Sequence, residues 1–149
     1  MARFSIGGIA SAAATATLPA VTLAGVATGG GRLREVGIFN TTATAFYASL
    51  RQFSTAGTRG SAVGSIKWGG TAGPAAALCT GADANTSTAP TLVAGTFRIA
   101  ELPAAIGGGV IWTFGDTGLE LPVGTANMFG ILCPSGTGQV FTYYFDWDE

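Results

Sequence analysis

The chain has no histidine, only two cysteines, and few charges: 10% of its 149 residues are Asp, Glu, Lys or Arg. Without histidine there is no Ser-His-Asp triad, no Cys-His dyad and no histidine-based metal site. Two cysteines, Cys79 and Cys133, cannot complete a four-ligand zinc site. Their number allows a disulfide, but two buried free thiols are the preferred reading for a chain made in a reducing cytoplasm. Seven Lys+Arg and a formal net charge of −1 leave no basic footprint for nucleic acid. No amphipathic helical period runs through any stretch.

The scarcity of charge carries a further expectation. Soluble domains usually contain about 25% charged residues. Here the mean hydropathy is +0.44, and an isolated monomer of this composition exposes apolar surface that favours association. The length fits one domain over 1–149. Aromatic and β-branched residues are too plentiful for disorder.

The stretch Ala10–Ala27 is apolar but is interrupted by Pro19, Gly25 and threonines. A spanning helix needs about 20 strongly apolar residues, and a signal peptide needs a basic start where this chain has only Arg3. No membrane partner is expected. The segment 9–31 is predicted to be an extended amino-terminal arm, or a pair of small-residue strands, lying on neighbouring subunits.

Elsewhere the pattern is one of short runs with period-two alternation, cut by Gly, Pro, Thr and Asn. Strands are predicted over Met1–Ile9, Arg32–Asn40, Thr44–Phe53, Val63–Trp68, Thr91–Leu102, Val110–Asp116, Leu119–Val123, Ala126–Cys133 and Gln139–Trp147. Ser54–Gly60, Gly69–Pro74 and most of Ala75–Pro90 read as loops. The expectation is an all-β jelly roll or β-sandwich of about eight to nine strands.

Candidate chemistry is sparse. Asp146, Asp148 and Glu149 with Asp116 and Glu120 offer oxygen ligands for calcium, but in no recognisable spacing, and acids at a chain end read as a solvated terminus. A glycosidase needs two carboxylates facing a sugar, and Asp116 and Glu120 flank a turn beside Trp112, yet Asp116-Thr117-Gly118 is explained as a turn. Gly29–Gly31 and Gly107–Gly109 lack the following helix of a phosphate loop and read as tight connections. No catalytic residue, cofactor or metal site is therefore expected. Six of the seven cations are arginine, a residue enriched at interfaces. Arg32, Arg34 and Arg51, with Tyr143, Tyr144 and Trp147 of the aromatic final strand, are the candidate interface residues. The stripe Phe141, Tyr143, Phe145 and Trp147 reads equally well as the core of the monomer.

Three strings, EVGIFNTTATAFYASLRQFSTAGT, VIWTFGDTGLELPVGTANMFGIL and GTGQVFTYYFDWDE, resemble small virion structural proteins of tailed bacteriophages, of the minor-capsid or decoration (cement) type. The resemblance covers about residues 32–60 and 109–149. It implies a non-enzymatic, jelly-roll-like subunit, made in the host bacterial cytoplasm and placed on the capsid surface. Its partners are then the major capsid protein and itself, as a homotrimer. It carries over no functional residue. Two other classes share the pattern: a tail or fibre-tip adhesion module presenting Tyr143, Tyr144 and Trp147, and a secreted carbohydrate-binding sandwich with a Cys79–Cys133 disulfide.

Overall fold

A computed structural model describes residues 2–69 and 77–149, so the predicted loop at Gly69–Pro74 lies almost wholly outside the described residues. Those residues contain strands and no helix. In chain order the strands are β1 (Arg3–Ile9), β2 (Val21–Gly25), β3 (Gly31–Asn40), β4 (Phe46–Phe53), β5 (Ala62–Val63), β6 (Ile66–Lys67), β7 (Cys79–Asp83), β8 (Arg98–Leu102), β9 (Gly109–Thr113), β10 (Leu119–Leu121), β11 (Met128–Leu132) and β12 (Phe141–Asp148). They form two antiparallel sheets of a β-sandwich. The first runs β10-β3-β12-β1-β6, with β9 beside β10 along the same edge of β3. The second runs β5-β7-β2-β11-β4-β8.

Alternation explains the core. On β12, Phe141, Tyr143, Phe145 and Trp147 point between the sheets and are 0–4% exposed. They meet Phe4, Ile6, Leu33, Val36 and Ile38 from their own sheet, and Leu23, Phe46, Leu50, Phe129 and Ile131 from the other. Phe46 stacks on Phe141 at 6.0 Å and Phe4 on Trp147 at 5.8 Å. Each such buried side chain contributes about 1.5–3 kcal/mol of transfer free energy.

The second sheet is buried on both sides along β2 and β11. Its outer face carries a smaller cluster of Ala24, Phe53, Met128 and Leu132. The loops after β4 and β7 cover it: Ser54 N–H donates to Thr91 O, Thr58 N–H to Thr88 O and Val93 N–H to Gln52 O. Arg59 spans the same face, donating to Thr22 Oγ1 (3.2 Å) and Thr80 O (2.6 Å). Burial lowers its guanidinium pKa. The expected strand 91–102 is interrupted: Leu92 makes an isolated bridge to Phe53, residues 93–97 form no strand, and the ladder with β4 runs over Arg98–Leu102.

The segment 9–31 is not an arm. Ala10, Ala14 and Ala20 are at most 2% exposed, and every residue of β2 is buried. β2 sits between β7 and β11. A strand covered on both faces shows no polar alternation to read. β7 was expected as loop because Cys-Thr-Gly-Ala-Asp has weak strand propensity; pairing with β2 and β5 orders it. The expected strand Val63–Trp68 splits into β5 and β6, which extend different sheets.

Candidate interaction surface

Register divides the outer face of the first sheet into rungs. One rung is Ser5, Asp146, Glu35 and Thr113. The next is Gly7, Tyr144, Gly37 and Ile111, and the third is Ile9, Thr142, Phe39 and Gly109. The first rung is charged and the other two are not.

The charged part is built around a bulge. Asp146 pairs with Glu35 but Trp147 pairs with Leu33, so Arg34 is the extra residue on β3. A bulge re-aims its side chain. Here Arg34 Nε reaches Asp148 Oδ2 at 2.5 Å, and its Nη1 donates to Gly115 O at 2.9 Å and to Asp116 O. Arg32 Nη1 donates to Thr117 O at 3.1 Å. The two arginines thus hold the turn between β9 and β10 by its carbonyls, and Arg34 is a structural anchor as much as a surface cation.

Asp146 is 3% exposed. Its carboxyl is held above the usual carboxylate range, first by burial, with Glu35 repelling its charge, while Ser5 and Arg3 pull the other way. The Arg3 Nη2–Asp146 Oδ2 separation is 3.5 Å. Arg3 also lies 4.5 Å from the Trp68 ring centre, a cation–π contact. Arg3 Nε and Asp146 Oδ1 are buried without a hydrogen-bond partner. Arg3, Arg34, Glu35, Thr113, Asp116 and Asp148 line a groove of about 380 Å³.

The uncharged part centres on Tyr144. Tyr144 Oη donates to Glu35 Oε1 at 2.6 Å, and burial followed by the Glu35 bond raises its phenol pKa. Its ring stacks on Phe39 at 6.5 Å and crosses Gly37, where any Cβ would strike it. Glycine in a strand interior marks such a close approach. That signal in the sequence identified neither Gly37 nor the buried Asp146.

The six candidate interface residues do not form one cluster. Arg32, Arg34 and Tyr144 share this side of the molecule. Arg51 is on the second sheet, bonded to Ser49 Oγ (3.3 Å) and Gly95 O (2.8 Å). Tyr143 and Trp147 point into the core at 4% and 0% exposure, because successive strand residues face opposite ways. Trp147 Nε1 donates to Glu149 Oε1 at 2.8 Å, and Cys79 N–H donates to the same oxygen at 2.7 Å. The acids of the carboxyl-terminal segment are therefore tied into the fold rather than forming a solvated tail. Asp116 lines the groove beside Arg34, whereas Glu120 lines a different one with Gly30, Gly31 and Arg32, so the two share no cleft. Cys79 and Cys133 are free and buried, and burial pushes the Cys79 thiol up. Among the described residues, no group of three or more Cys, Asp or Glu is placed to hold a metal ion.

The chain matches no family model, no curated protein and no solved structure.

Proposed function

We propose that this chain is a non-enzymatic structural protein of a bacteriophage virion, which decorates or cements the capsid through homo-oligomeric and capsid-lattice contacts, as a homotrimer. The observation that carries this reading is the exposed apolar surface. Ile9, Ile66, Trp68, Ile99, Ile106 and Ile111 are each more than half exposed on a chain with few charges. Such a surface favours burial against other subunits.

We further propose that the sandwich is a jelly roll. Setting aside β5, β6 and β7, which lie together in the connection from β4 to β8, and β10, which lies in the connection from β9 to β11, the sheets read β1-β12-β3-β9 and β2-β11-β4-β8. Successive strands then alternate between sheets except at β4 and β8, which pair within one sheet, and the first and last strands are neighbours. This order supports a double Greek key. The adhesion-module reading loses its aromatic cluster, since Tyr143 and Trp147 are buried. The secreted sandwich loses its disulfide.

Quantitative mass spectrometry of purified particles from the source tests the proposal. A copy number comparable with the shell protein is the expected result. A handful per particle would move the chain to the tail, and absence would overturn the virion reading.

A further inference from the structure

Four connections separated in sequence meet at one end of the sandwich: 10–20, 41–45, 103–108 and 133–140. Hydrogen bonds join them in series. Gly107 N–H donates to Asn40 O, and Asn40 Nδ2 donates to Thr44 O and Pro103 O. Thr41 Oγ1 donates to Val140 O. Cys133 N–H donates to Thr15 O and Gly138 N–H to Ala14 O. None of the seven cations or eight acids of the chain lies in these four connections. Two charges border it: Asp83 accepts the Ser11 N–H through both carboxylate oxygens, at 3.0 and 3.1 Å, and exposed Glu101 lies two residues before Pro103 on the rim. Much of the end is solvent-exposed, with Ile106 at its tip 76% exposed. It continues directly onto the two uncharged rungs of the first sheet, through Ile9 and Phe39.

A surface without charge is the kind that can meet itself. Around a symmetry axis, side chains near the axis face their own copies. Any charge there would face a like charge, which opposes association. Small residues cross-linked by hydrogen bonds also lose little freedom on docking. Strand and sheet spacings give four strands per sheet an end on the order of 500 Å² in projection. The uncharged rungs extend it towards the roughly 800 Å² per partner of a standard interface.

We infer that this uncharged end, with the adjoining Ile9–Phe39 face, is the surface through which copies of this chain associate around a symmetry axis. The inference deepens the homo-oligomeric part of the proposed function and rests on that part. Its occupant is a second copy of the chain. Another protein bound to the same end is an outcome that the test below would expose.

The test is native mass spectrometry and light scattering on the full chain. The variants are Ile106→Asp and Ala12→Asp at the uncharged end, with Val123→Asp at the opposite end as control; Val123 is 57% exposed. All three positions are exposed, and far-UV circular dichroism checks that the sheets are retained. The wild type is expected to be oligomeric. The two end variants should weaken self-association about tenfold or more, and the control should not. An equimolar mixture of Ile106→Asp and Ile106→Lys chains should recover the oligomer in part, because a mixed trimer then has two opposite-charge contacts against one like-charge contact. A monomeric wild type overturns the inference, as does an oligomer indifferent to both end substitutions. So does a mixture that fails to recover while each variant stays folded. Particle copy number is read separately: an oligomer needing this end in a chain absent from particles would sink the virion reading and leave this inference standing.

Discussion

Trp147 separates two uses of the final strand, and Trp147→Ala is the perturbation that measures which one holds. The indole is fully buried. It stacks on Phe4 at 5.8 Å, and a Cβ on Gly31 would lie 3.0 Å from its Cδ1. Both neighbours are fixed by strand pairing, since β1 and β3 flank β12, so the void left by truncation has little room to collapse. Truncating a buried aromatic to alanine costs about 3–5 kcal/mol, with rigid surroundings at the upper end. The lost bond to Glu149 adds about 1 kcal/mol. Domain stabilities are about 5–15 kcal/mol, and a urea slope of about 1–3 kcal/mol per molar turns this loss into a midpoint lowered by about 2 M. Trp147→Phe retains the stacking and most of the volume, so its cost is expected to be about 1–2 kcal/mol. The assay is urea unfolding followed by far-UV circular dichroism, at one fixed protein concentration because assembly adds to apparent stability. An unchanged midpoint in Trp147→Ala, together with weakened self-association, would refute the core assignment and return Trp147 to the interface.

Three further outcomes follow from the same geometry. Gly37→Ala should drive the Tyr144 ring off β3 and break its bond to Glu35, bringing that phenol back towards about 10. In the wild type Tyr144 titrates above its ordinary value and Tyr143 is pushed up to about 12 by burial, then by the Asp83 charge. Raised phenols contribute stability that is full below the unfolded value of about 10 and is lost as pH rises through the folded values; tyrosinate absorbance and thermal melts across alkaline pH check both points. Asp146→Asn should be at least as stable as wild type at neutral pH, because it removes a buried charge facing Glu35. Since the folded carboxyl pKa is raised, the wild type should gain on the variant as pH falls through that value towards about 3.9, and melting temperatures of the pair against pH would contradict this if the gap widened in the opposite direction. Deleting residues 2–28 removes β1 and β2, both interior strands of their sheets, so the β circular dichroism signal should be lost; a folded truncation would restore the arm reading.

The strands with one covered and one open face were legible from the sequence. β12 and β3 alternate large apolar with polar or small residues, and alternation is what a half-buried strand requires. Adjacent Tyr143 and Tyr144 could not share a face by the same rule, so the split of the aromatic candidates was implicit in their numbering. β2 and β7 were not legible, because burial of β2 on both faces removes the contrast and because Ala and Gly, with Asp in β7, have little strand propensity of their own.

The sequence by itself determined an all-β chain, poor in charge and without histidine chemistry, with turns at its Gly, Pro and Asn clusters. Tertiary structure alone decided where the charges went. The bulge at Arg34, the burial of Asp146 opposite Glu35, and the meeting of four uncharged connections at one end all depend on pairings between residues far apart in the chain. Local propensity acts over a few residues. Which surface is left bare of charge is set by sheet order and register, which no local pattern encodes.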